Sequence, residues 1–302
     1  MQYLNPLAIL NISLKEAGKE LDKEFIKREK KKLLAEFELN ETPTISLRGK
    51  KLDKSAVLNL FERIEDPEEL AHHIKIYQNP LLLSFLEDGS LGYYQQKQRP
   101  DFNEEGEGFA EFVAPYFAGQ YNRLLLKAFK QKNWEQIELL VSGSFPLPGK
   151  YQVEAYKDTL QYIHSQVIEI EGLAAEIAGG NQPDGRVQEI CDEFLISSLN
   201  ELPEYFAGVR DRYGLSLEAL ALAVHNTHQR IDLGILILRQ GLKLKISDNT
   251  HDRLKYVLDQ LLKMAPAESI FDAFTGSGKK KNTNVWWIAI GVGAAIILFF
   301  LM

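Results

Sequence analysis

Residues 285–302 read VWWIAIGVGAAIILFFLM and carry no charged side chain. At about 1.5 Å per residue, the run makes roughly 27 Å of helix, close to the hydrocarbon thickness of a bilayer. A helix packed on a globular core needs a polar face for water, and this run has none. It therefore predicts a single transmembrane helix over 285–302. Trp286 and Trp287 fall at headgroup depth, where amphipathic rings settle. Lys279, Lys280 and Lys281 precede them and favour the cytoplasmic side. Ala289 and Gly293 are four residues apart, as are Gly291 and Ala295. Small residues at that spacing let two helices approach closely, which makes Gly291, Gly293 and Ala295 candidates for self-association through the tail.

The opening MQYLNPLAILNISLKEAGKE lacks the basic stretch and uninterrupted apolar run of a signal peptide. The expected topology is that of a tail-anchored, single-pass protein with its N-terminal body in the cytoplasm. Residues 266–284, with GSG before KKK, are expected to be a flexible basic linker to the bilayer. The chain has 35 Lys and Arg against 42 Asp and Glu, a formal charge of -7. Without the three tail lysines the balance is 32 against 42, a net of -10. An acidic body argues against nonspecific binding to nucleic acid, whose phosphates need a basic surface. Cys191 is the single cysteine, so no intrachain disulfide and no cysteine-based zinc site is expected.

The apolar fraction of 45% and charged fraction of 25% are those of a folded, core-forming chain. The pattern predicts a mainly α protein. Residues 1–88 read as a small helical module. Leu21, Phe25, Leu33, Leu34 and Phe37 form one packing stripe of a charged helix whose REKKK run, Arg28 to Lys32, faces water. TPTISLRGKK alternates at Ile45 and Leu47, as a short strand or a turn does. Asp53 or Ser55 caps the next helix. Asp66 and Pro67 start another, Pro80 breaks it and Gly89 ends it. NPLAILNIS, the basic LDKEFIKREKKKLLAEF and the later DPEEL together resemble the layout of a J-domain. That family carries a His-Pro-Asp loop after its basic helix, where this chain reads Leu39-Asn40-Glu41-Thr42-Pro43. The resemblance implies a J-like module for protein contact. Without the tripeptide, stimulation of an Hsp70 partner does not carry over.

Residues 89–109 are rich in Gly and polar residues and read as a linker or long loop between domains. Asp101, Asn103, Glu105 and Gly106 match the first positions of a calcium loop. Phe112 stands where the bidentate Glu belongs, so an acidic solvated loop is expected. Residues 110–265 read as antiparallel helical hairpins, one breaking near Asn133 and another near Asp232. Ala221, Ala223 and Gly234 are small enough for close helix packing. The unit length from Leu217 onward resembles a tetratricopeptide hairpin, although that family's Trp, Gly, Tyr and Pro positions are not matched in series. YFAG occurs at residues 116–119 and 205–208, each time with a proline just upstream.

No P-loop, dinucleotide fingerprint or GxSxG is present, and no catalytic residue, cofactor or metal is expected. His225 and His228 share a helix face, but HNTH is not HExxH. His72 and His73 point to different faces of a helix. Cys191 is expected to be a core residue with its thiol pKa raised by acidic neighbours. Tyr116, Phe117, Tyr121, Tyr205 and Phe206 are candidates for docking a protein partner, because aromatic side chains anchor interfaces. The expected function is that of a membrane-tethered, non-enzymatic adaptor that binds a protein partner through its helical body. The alternative is a co-chaperone-like factor acting with an Hsp70-type chaperone at the membrane.

Overall fold

The computed structural model describes residues 3–13, 23–39, 43–47, 49–96, 102, 106, 108–142, 145–183 and 185–265. The chain is mainly helical, as its periodicity predicts. Its helices are α1 (Pro6–Ile9), α2 (Lys23–Leu39), α3 (Lys54–Glu65), α4 (Pro67–Gln78), α5 (Pro80–Asp88), α6 (Phe109–Lys130), α7 (Trp134–Val141), α8 (Gln152–Ala178), α9 (Arg186–Ile190), α10 (Glu193–Glu201), α11 (Ala207–His228), α12 (Ile231–Gly241) and α13 (Asp248–Met264). Short 3-10 turns occupy Leu91–Tyr93, Gly149–Tyr151 and Glu204–Phe206. Strands β1 (Thr44–Leu47) and β2 (Lys50–Asp53) form an antiparallel hairpin in which Ile45 pairs Leu52. TPTISLRGKK is thus both strand and turn, with Gly49 at φ 75° in the two-residue connection.

Local rules explain most boundaries. Asp53 accepts a hydrogen bond from the Ala56 N–H at 2.7 Å and caps α3. Asp66 accepts from the Glu68 and Glu69 N–H groups ahead of Pro67, where a missing donor costs nothing. Asn79 does the same for Leu82 ahead of Pro80. Gly89, at φ 75°, ends α5 in the left-handed region that a side chain avoids. Asn133 caps α7 after Lys132 turns the chain at φ 51°. The later break falls at Gln229 and Arg230, with Gln229 at φ 56°.

The chain divides into two compact units. The first comprises residues 1–168 and 192–210, and the second residues 169–191 and 211–302. This division differs from the boundary expected at 89–109. The described residues of that segment belong to the first unit, where Tyr93, Tyr94 and Phe102 are buried. Their rings outweigh the glycines around them: each buries enough apolar surface to fix a loop against the core.

In the first unit, Leu7, Ile12, Ile26, Phe37, Ile45, Leu52, Leu60 and Phe61 belong to one apolar cluster that joins α1, α2, the hairpin and α3. On α2, Phe37 is buried and Phe25, Leu33 and Leu34 are half-buried, as the stripe predicts, with Ile26 added to them. A second group of buried side chains is rich in rings. Phe117 of α6 lies 4.7 Å from Phe85, 5.3 Å from Phe102 and 5.7 Å from Tyr93, measured between ring centres. Tyr121, Phe145, Tyr156 and Phe206 continue the stack in edge-to-face and tilted pairs.

The second unit packs by close approach. A Cβ built on Gly241 of α12 would lie 2.7 Å from Leu254 Cδ2 of α13 and 3.6 Å from Leu217 Cδ1 of α11. One on Gly234 would lie 3.1 Å from Leu261 Cδ1 and 3.3 Å from the Ala221 carbonyl. Ala221 and Gly234 thus make the close contact expected of them, while Ala223 is half-buried. Leu254, Leu258 and Leu261 provide the buried stripe of α13.

Among the described residues no helix is long and apolar enough to cross a membrane. The 285–302 run, with Trp286, Trp287, Gly291, Gly293 and Ala295, lies outside the described residues, as do the linker lysines Lys279, Lys280 and Lys281.

Candidate functional site

The densest polar cluster of the first unit is buried where residues 3–5 meet α3, α4 and α6. The Tyr3 hydroxyl lies 2.8 Å from His73 Nδ1 and accepts a hydrogen bond from Asn5 Nδ2 at 3.1 Å. Asn5 Nδ2 also donates to the His73 carbonyl, and Asn5 Oδ1 caps α1. Tyr3, Asn5 and His73 are all 0% exposed. Arg63 of α3 closes the cluster: Nη1 donates to the Leu4 carbonyl, Nη2 to the Tyr116 hydroxyl, and Nε stands 3.6 Å from Glu69 Oε2 as an ion pair. Its guanidinium also lies 5.8 Å from the Tyr3 ring centre and 5.9 Å from that of Tyr116.

Either group can donate in the Tyr3–His73 contact: Nδ1–H donates when the ring proton is there, and the Tyr3 O–H donates when it sits on Nε2. That nitrogen has no hydrogen-bond partner, and the Phe112 ring packs against the imidazole in a T at 5.0 Å. Burial, with Arg63 second and His72 third, lowers the His73 pKa from 6.5 to about 3. Burial likewise raises the Tyr3 phenol well above its ordinary value, against the opposing pull of Arg63. A general acid or base must reach its substrate. These groups are sealed, so what the cluster does is fasten the N-terminal segment to three helices. His72 and His73 both pack on the Phe112 ring, at 4.9 and 5.0 Å. Sequence reading gave no sign of this cluster. The Asn5-Pro6 cap was its one local signal.

The five aromatic candidates fall into two groups. Phe117, Tyr121 and Phe206 are 0%, 2% and 0% exposed and form the aromatic core, out of reach of a docking partner. The Tyr121 hydroxyl donates to the Leu140 carbonyl. Tyr116 and Tyr205 are half-buried. Tyr116 packs at 5.0 Å on Tyr3, and Tyr205 at 5.3 Å on Tyr156. Both YFAG segments therefore place Tyr at the edge of the core and Phe inside it.

Buried polar side chains also close helix ends. Arg210, 3% exposed, donates from Nη1 to the Leu202 carbonyl at 2.7 Å and the Leu199 carbonyl at 3.4 Å, satisfying the end of α10. In the second unit Tyr213 donates to the Ile190 carbonyl at the end of α9. Glu218, 4% exposed, forms an ion pair with Arg253 at 2.7 Å from Nε to Oε2 that lacks hydrogen-bond alignment. Arg212 forms a two-oxygen pair with Glu171 on the surface.

His228 Nε2 lies 2.6 Å from the Asn181 carbonyl, while His225 is half-buried with Nδ1 unpaired. Among the described residues, no group of three His, Cys, Asp or Glu is placed to hold a metal ion. Asp101, Asn103 and Glu105 of the calcium-like segment lie outside the described residues. Cys191 is buried as expected. Burial raises its thiol to about 11; acidic neighbours are not the cause. The exposed face of α2 is strongly basic, with Lys27, Arg28, Lys31 and Lys32 all turned to solvent.

No family model, curated protein or solved structure matches the chain.

Proposed function

We propose that the chain is a membrane-tethered adaptor: 285–302 spans the bilayer and the helical body holds a protein partner. The observation that carries this reading is the uncharged run, with Trp286 and Trp287 at its start and the three lysines before it, which no water-facing helix would need. The Tyr3, Asn5 and His73 cluster is closed to solvent, which suits a structural role for these three side chains. Self-association through Gly291, Gly293 and Ala295 belongs to the same reading. Removing residues 279–302 is expected to move the protein from the membrane fraction to the soluble one; retention on the membrane overturns the anchor. Crosslinking in the native membrane is expected to return a stoichiometric protein partner, and its absence overturns the adaptor role.

A second reading is a co-chaperone for an Hsp70-type protein. The short α1 followed by the long basic α2 favours it. The β1–β2 hairpin, however, joins α2 to α3 where the family's tripeptide loop would be. A gain in Hsp70 ATPase rate supports this reading, and no gain together with no binding removes it.

A further inference from the structure

The acidic body and the anionic face of a membrane should repel each other, and one helix face of the first unit is built to the opposite sign. Residues 27–32 read KREKKK, five basic side chains against one acid. The fold sorts them. Ile26 and Phe37 turn α2 onto the apolar cluster, and Lys27, Arg28, Lys31 and Lys32 stand exposed on the other side. Lys27 and Lys31 are one helical turn apart, as are Arg28 and Lys32, so the four make a compact two-by-two array.

Neutralisation is partial, with the exposed Glu24 one helical turn before Lys27 and Arg28. Glu29 lies 3.4 Å from Arg28 and 3.9 Å from Lys32, and Lys30 is paired with Glu65 at 3.3 Å. Lys27 and Lys31 have no ion partner among the described residues. The array therefore stays basic on a protein whose formal charge is -7.

We infer that this face of α2 docks on anionic lipid headgroups and so orients the body against the membrane that the tail crosses. The inference rests on the proposed anchor. Charge complementarity favours lipid as the occupant. The exposed groups are long, flexible ammonium and guanidinium side chains, with Arg28 over the Phe25 ring at 5.3 Å, which suits a diffuse anionic surface better than a shaped protein pocket. Residues 266–284 join the body to the apolar run, and nineteen residues reach at most about 65 Å when extended. Basic groups feel the charge of an anionic bilayer within the screening distance, about 8–10 Å at physiological salt. Each basic group near an anionic surface strengthens association by about fivefold, so four of them hold one face down while the tail supplies the attachment.

The test uses the full-length chain reconstituted in vesicles of phosphatidylcholine alone or of phosphatidylcholine with phosphatidylserine. A water-soluble lysine-acylating reagent and mass spectrometry then read each lysine. Lys27, Lys31 and Lys32 are expected to lose reactivity several-fold on the anionic vesicles and to regain it at high salt. The exposed Lys255 and Lys263 of α13 serve as internal controls and should change little. The double variant Lys27→Gln, Lys31→Gln should weaken the remaining protection of Lys32 without releasing the protein from either vesicle. Three results overturn the inference. If the chain floats with both vesicles and the α2 lysines react equally on each, lipid docking is wrong and the anchor stands. If protection appears only when a purified Hsp70 is added, the face belongs to a protein partner. If the chain floats with neither vesicle, anchor and docking fall together.

Discussion

Phe117 in the first unit and Gly241 in the second are both central to a helix contact, and they are opposite solutions to it. Around Phe117 the space is filled by rings, which contribute large buried areas and leave several hydroxyls needing partners. Around Gly241 there is no space to fill: α12 approaches α13 until even a methyl group would collide with Leu254. The first arrangement is sensitive to removal of atoms, the second to their addition. Buried polar groups occur in both units: the Tyr3, Asn5 and His73 cluster in the first, and Ser216, Glu218 and Thr250 in the second.

That contrast can be broken from either side. Phe117→Ala should have the largest effect, about 3–5 kcal/mol of stability in urea unfolding followed by near-ultraviolet circular dichroism. A loss below about 1 kcal/mol would show that the rings repack and that the aromatic stack is not a fixed core.

Acid should act next, and through the first unit. An unfolded histidine titrates at 6.5, whereas folded His73 does so at about 3. Above pH 6.5 both states are neutral and nothing is lost. As the pH falls below that, the unfolded state takes up a proton that the folded state refuses. Stability then drops by at most about 1.4 kcal/mol per pH unit until the folded value is reached. His72 is lowered in the same direction, mainly by burial. The depressed carboxyls of Glu111, Asp192 and Asp232 act mainly at lower pH, so the interval from about 6 to about 5 is weighted toward the histidines. A His73→Gln variant, which still offers Tyr3 an acceptor, should flatten the unfolding profile in that interval. An unchanged slope would remove His73 as its source.

Gly241→Ala probes the second unit. Its gain in helix propensity, about 1 kcal/mol, opposes a contact of 2.7 Å with a fully buried leucine, for which overpacking costs about 1–3 kcal/mol. Net destabilisation of about 1 kcal/mol is expected. Paired with Leu254→Ala, the two changes should couple favourably by about 0.5–3 kcal/mol, since removing Leu254 opens the space the new methyl needs. Strict additivity would mean that the helices slide apart instead. The smallest effect is local: Asp53→Ala removes the α3 cap at about 1 kcal/mol, measured in the same unfolding experiment.

What the sequence disclosed follows from range. Asp53, Asp66, Asn79, Gly89 and Asn133 mark helix ends through contacts within three or four residues, and their roles are readable without a fold. Periodicity likewise revealed the buried stripe of α2. Tyr3 with His73 is a contact across 70 positions, and no local spacing announces it. The aromatic candidates were ambiguous for a different reason. Phe117 and Tyr121, one turn apart, have the same pattern whether their face meets a partner or the protein's own core. Only the fold, which sets Tyr93 and Phe102 against Phe117, decides between the two. The split into units was hidden because each unit is assembled from two separate stretches of chain.

The buried thiol at the end of α9 has a practical consequence. Cys191 is the chain's single cysteine and lies in the second unit, 9% exposed and held protonated at neutral pH. Alkylation needs both access and thiolate, so the native state reacts slowly and an opened one quickly. The natural sequence thus records local opening at the end of α9. The time course of a single labelling reaction gives the local opening free energy with no engineered probe.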